Sequence, residues 1–234
     1  MNVNISINGV LRKTIERLEY HYIDYFLESE TEEDLEDDHF EYGIINRPVR
    51  SDNILNHFIF QSTEEYEHFL FIEFPLEIFG HANGSYSSVF NDLHKLIYDN
   101  KNITFTIIGL DENGRAKPAS LFFLSKNNFL GNNIKFITSK EIQKEWDNCD
   151  LWITDNDKII ESCPKNKKVI KFNTNYNEHI PCEIEINKLS EIETKCKKCL
   201  KSSGKNMLSI LTRLLNPAKQ GIQSKMIMDM KLMK

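Results

Sequence analysis

The chain has 234 residues, a formal net charge of −6 and a composition ordinary for a globular protein. That length suits one domain of moderate size, with room for an insertion and a tail, and is enough to bury a core. No apolar run reaches the roughly 20 residues of a membrane helix, and the start, MNVNISINGV, has neither the basic end nor the apolar run of a signal peptide, so a cytoplasmic protein without a membrane partner is expected.

Residues 2–6 (NVNIS) alternate weakly and run into Asn8-Gly9, the pattern of a short strand ending in a turn. From Leu11 to Leu27 apolar positions recur at Ile15, Leu18, Tyr22, Tyr25 and Phe26, which predicts a helix. The acidic run from Glu28 to Glu41 reads as a loop or a helix end. Residues 43–100 are aromatic-rich and helical in pattern. Ser62 and Thr63 offer caps, Pro75 marks a break, 80–88 form a turn-rich loop, and 89–98 (VFNDLHKLIY) are an amphipathic helix. β-rich runs follow at 103–110 (ITFTIIGL), 120–124 (SLFFL), 134–137 (IKFI), 151–154 (LWIT) and 169–172 (VIKF), with a last candidate at 183–186. A turn is expected at 111–114, and a short helix at 139–146. Short strands alternating with helices predict an α/β fold: a doubly wound, Rossmann-like parallel sheet with a helical cap insertion and a C-terminal helical tail. In such sheets functional groups gather at the C-terminal strand ends. Ser6, Asn8, Ser125, Lys140 and Asp155 fall there on this reading.

In order along the chain stand Ser6-Ile7-Asn8-Gly9-Val10-Leu11, then Leu121–Leu124 followed by Ser125, then Lys140 after FITS, then Leu151–Thr154 ending on Asp155, with Asp157 close by. This series resembles the haloacid dehalogenase-like superfamily, in its deoxyribonucleotidase-like branch. The resemblance covers about 2–190 and implies a domain at 1–190 with a cap insertion at about 12–100, and an extension at 191–234. It also implies roles. The first motif carries a nucleophilic Asp and an acid/base Asp, the second a Ser or Thr, the third a Lys, and the fourth a carboxylate for Mg²⁺. Ser125, Lys140 and Asp155 keep to that pattern, and Asp155 with Asp157 would hold Mg²⁺ in an active enzyme. Ser6 and Asn8 replace the two first-motif aspartates. A serine hydroxyl has no charge to offer Mg²⁺ and needs a base to attack phosphorus; an Asn amide exchanges no proton at useful pH. Loss of both roles is expected to silence the chemistry, leaving no cofactor requirement.

The five cysteines (Cys149, Cys163, Cys182, Cys196 and Cys199) are odd in number and irregularly spaced, which excludes a disulfide framework. Cys196 and Cys199 lack a second pair for a structural zinc and read as thiols. From Lys195 onward the chain is basic, with Asp229 its only acidic residue. Residues 207–215 (MLSILTRLL) form an amphipathic stripe ended by Pro217. Met207, Leu211, Met226, Met228 and Met230 are the expected partner contacts, since methionine suits adaptable surfaces. Phages carry proteins of this cap type, and the richness in Lys, Asn and Ile fits an AT-rich source. The expectation is an inactive structural or interaction component, cytoplasmic or within a virion, docking on other protein subunits; the basic tail leaves nucleic acid open. Two alternatives remain: an active Mg²⁺-dependent phosphatase or 5′-nucleotidase, and a nucleotide-binding pseudoenzyme.

Overall fold

The computed structural model describes residues 1–28, 41–45, 49, 54–129, 131 and 133–195. Its strands are β1 (Asn2–Ser6), β2 (Thr104–Leu110), β3 (Ile134–Ile137), β4 (Leu151–Thr154), β5 (Lys168–Phe172) and β6 (Glu185–Ile186). They form one sheet in the order β3-β2-β1-β4-β5-β6, every pair parallel. The helices are α1 (Thr14–Tyr22), α2 (Thr63–His68), α3 (Val89–Asp99), α4 (Lys117–Lys126), α5 (Ile142–Asn148) and α6 (Asp157–Glu161).

The two-residue strand period divides the core. Val3, Ile5, Phe105, Ile107, Leu151, Ile153, Ile170 and Phe172 pack on one face with residues of α3 and α4. Trp152 and Ile108 pack on the other with Trp146 and Ile142 of α5 and Ile159 of α6. A parallel sheet covered on both faces needs this double burial. Asn4 and Ser6 point to the α5 side, where Asn4 donates to the buried Glu145.

Between β1 and β2 lies the cap, with a core of its own around Leu18, Tyr22, Phe26, Phe58, Phe69 and Phe79. Three five-residue π-helical turns mark it, Ile23–Leu27, Phe69–Glu73 and Leu76–Gly80. Ser62 caps α2 by accepting from the Glu65 amide, as its sequence predicts. Tyr22 ties the cap's strand-like segments together: its hydroxyl accepts from the Gly43 amide and donates to the Ile59 carbonyl.

The run 120–124 is not a strand. It lies inside α4, with Pro118 in its first turn. Only nine residues separate Leu110 from Ser120, and a parallel crossover takes a dozen or more, so this apolar run serves as the crossover helix between β2 and β3. The short helix after β3 begins as a 3₁₀ turn, Ser139–Glu141, capped by Thr138 rather than Ser139, with Glu141 completing the capping box.

Candidate functional site

Strand order reverses between β1 and β4, and a cleft of about 340 Å³ opens at the C-terminal strand ends beside this switch point. Ser6 and Asn8 reach it from β1, Asp111 and Glu112 from β2, Asp155, Asn156 and Lys158 from β4, and Tyr176 from the loop after β5. The cap closes it with Thr14, Tyr66 and Phe79 among others. Thr14, Ile15 and Tyr176 also line a wider groove of about 660 Å³ that runs past Gly9 to Asn173 and Asn175.

The Ser6 hydroxyl is buried and turned sideways along the sheet. It accepts from the Trp152 Nε1–H at 3.2 Å and donates to Thr154 Oγ1 at 2.8 Å, and Thr154 Oγ1 also accepts from the Asn156 amide. No histidine or carboxylate hydrogen-bonds to Ser6, so nothing there draws off its proton.

Asn8 is fixed by a buried cation. Its Oδ1 accepts from Arg12 Nε at 2.9 Å, from Arg12 Nη2 at 2.7 Å and from Thr14 Oγ1 at 3.0 Å. Three donors on one oxygen orient the amide, leaving its Nδ2–H₂ with no described protein acceptor. The Arg12 guanidinium donates also to the Phe79 carbonyl and Ser120 Oγ, and lies 5.1 Å from the Phe79 ring. All its hydrogen-bond acceptors are neutral. Burial pushes its pKa down to about 9, partly offset by the negative charge of Asp111.

Gly9 makes the turn after β1 with φ +69°, and a Cβ there would sit 1.8 Å from Asp155 Oδ2. The Asp155 carboxylate is thus laid against bare backbone, and it accepts from the Tyr176 hydroxyl. Asn177 holds the loop in place by donating to the Asp155 and Phe172 carbonyls, both at 2.9 Å. Asp157 opens α6 and lies 3.9 Å from His179 Nε2. Asp111 accepts from the Ala116 and Lys117 amides at the start of α4.

The geometry brings together Ser6, Asn8 and Asp155, but not the other family-like positions. Ser125 sits in the last turn of α4, exposed, because its segment is helical. Lys140 is exposed in the 3₁₀ turn after β3 and does not line the cleft; the lysine that does is Lys158. Met207, Leu211, Met226, Met228, Met230, Cys196 and Cys199 lie outside the described residues. Arg12, Asp111 and Tyr176 were not singled out in the sequence. A lone arginine following Gly9-Val10-Leu11, and an aspartate closing the β2 run, were the available signals.

These residues do not fit Mg²⁺ in the manner of the family. Ser6 is uncharged, the Asn8 oxygen is taken up by Arg12 and Thr14, and no three His, Cys, Asp or Glu side chains among the described residues converge as a metal would need. No protein-family model matches the chain, and no curated protein matches it.

Proposed function

We propose that this chain is a catalytically silent, haloacid dehalogenase-like protein that works by binding, as an interaction component, and not by turnover. One observation carries the reading: both first-motif positions are uncharged side chains tied into hydrogen bonds within the protein, Ser6 with Trp152 and Thr154, Asn8 with Arg12 and Thr14. Attack on phosphorus needs a nucleophile with a base or a charge, and protonation of the leaving group needs an acid. Neither position offers one. The test is incubation of the full chain with a panel of phosphate monoesters, nucleotides included, with and without Mg²⁺. The expected result is no phosphate release above buffer. Mg²⁺-dependent release that Asp155→Asn abolishes would overturn the proposal.

A second reading has one observation in its favour. Because Arg12 and Thr14 hold the Asn8 oxygen, its amide N–H₂ is left as a donor in a cleft that also carries Lys158 and has a buried cation behind it. Donors and positive charge suit an oxyanion held without hydrolysis. Calorimetry with inorganic phosphate and nucleoside monophosphates separates the two: saturable binding weakened by Asn8→Ala favours a ligand-holding pseudoenzyme, and no heat favours a purely structural role.

A further inference from the structure

Helix α4 buries Ala119, Ser120, Phe123 and Leu124, yet two more of its large apolar side chains are uncovered: Leu121 and Phe122 are 38 % and 42 % exposed. The turn Leu76–Gly80 continues this surface. Leu76 is 40 % exposed, and Leu76 and Phe122 both press on Gly80, where a Cβ would meet their Cδ1 atoms at 2.7 and 3.1 Å. Ile72, one turn earlier, is 56 % exposed. Large apolar side chains gathered this way mark a surface that something covers.

The described chain ends close by. Leu189 and Ile192 pack in one core with Val89, Phe90 and Leu93 of α3, and α3 touches α4 through Phe90 and Phe123, whose rings are 5.5 Å apart. The described chain thus ends on the side of the sheet that carries α3 and α4, and crossing two helix diameters takes roughly 20–25 Å. The 11 residues 196–206 span up to about 36–40 Å when extended. They lead directly to 207–215, in which Met207, Ile210, Leu211, Leu214 and Leu215 recur at the three- and four-residue steps of one helix face. We propose that residues 207–215 of the same chain cover the face made by Leu76, Leu121 and Phe122. A tether that short gives the chain's own segment an effective concentration in the millimolar range, ahead of any segment from another molecule.

Photo-cross-linking of the full chain tests this. A benzophenone amino acid replaces Phe122 or, as a second probe site, Leu121, in an equimolar mixture of isotopically light and heavy chains. Mass spectrometry then locates the cross-linked peptide. The expected product joins position 122 to residues 207–215 within chains of one isotope, and Leu211→Glu lowers its yield at least about tenfold, since a buried leucine is worth that factor or more. Mixed-isotope products would assign the face to a second copy. These, products with other segments, or a yield that Leu211→Glu leaves unchanged, would overturn the proposal.

Discussion

Replacing Asn8 by Asp changes one atom of the side chain and gives Arg12 a formal counter-ion. In the native chain the guanidinium is buried among neutral acceptors, two of its N–H groups sharing the Asn8 oxygen at 2.9 and 2.7 Å. A neutral hydrogen bond contributes about 1 kcal/mol and a charge-assisted one roughly 1.5–3 kcal/mol, so two converted bonds are worth about 1–4 kcal/mol. Desolvation of a half-buried carboxylate and repulsion from Asp155 across Gly9 take part of this back, leaving about 2 kcal/mol of added stability at pH 7. For a chain of this size that is a rise in melting temperature of about 4–8 °C. The new carboxyl, paired with Arg12, has a folded pKa below its usual value of about 3.9. Its contribution is present above that value and lost as pH falls through the folded one. Urea unfolding at pH 7 and pH 2.5 reads both effects. An Asn8→Asp chain no more stable than native at pH 7, or equally favoured at both pH values, would refute the assignment of Arg12 as a buried cation whose hydrogen-bond acceptors are all neutral. On the proposed reading this variant releases no phosphate either, because Ser6 still supplies neither charge nor base.

Ser6→Ala removes the acceptor of the buried Trp152 indole N–H and should cost about 1–3 kcal/mol in urea unfolding; an unchanged midpoint would mean that this network is incidental. Gly9→Ala meets both a left-handed backbone and the Asp155 carboxylate at 1.8 Å, so a loss of about 2 kcal/mol or more in thermal melting is expected. His21 stacks on Phe74 in the cap, and burial, helped by Arg17 and opposed by Glu77 and Asp24, lowers its pKa below 6.5. The unfolded chain then binds a proton that the folded one refuses, so stability falls as pH drops from 6.5 to the folded value, and His21→Phe should flatten that part of the stability profile.

The sheet was legible because four of its strands, β2 to β5, carry β-rich runs of the right length, and β1 runs on into the Asn-Gly pair that turns at φ +69°. The run SLFFL was misread because so short an apolar run shows no period that tells a strand from a helix, and the decisive signals were Pro118 and the short distance from Leu110. That error carried Ser125 away from the cleft. Ser6, Asn8 and Asp155 meet at the cleft because Ser6 ends β1 and the other two lie one or two residues beyond a strand end, and strand ends are fixed by the sheet. Arg12 and Tyr176 were missed because their positions depend on how the segment between β1 and β2 and the loop after β5 fold back, which no local pattern encodes; Lys158 enters the cleft because α6 starts directly after β4. The hydrogen bond from Arg12 to Phe79 spans 67 positions of sequence.

A neutral side chain at position 6 also makes physical sense. A carboxylate at position 6 would stand at a site only 6 % exposed, facing an indole N–H and a hydroxyl, with Asp155 lining the same cleft. Without a cation such a pair repels, and the buried charge is uncompensated. Serine removes that charge and uses the same two partners. Ser6→Asp should therefore destabilise the chain at pH 7 by roughly 3–5 kcal/mol, the cost of an unpaired buried charge. Ser6→Asn, of equal size and neutral, should cost less. The folded pKa of the new acid is raised, so its penalty is full above that value and shrinks as pH falls towards about 4. Urea unfolding of both variants at pH 7 and pH 4.5, with and without Mg²⁺, separates the outcomes. An Asp variant as stable as the Asn variant at pH 7 would show that position 6 tolerates charge. Rescue of the Asp variant by Mg²⁺ would show that a carboxylate at position 6, with Asp155 in the same cleft, is enough to form a cation site.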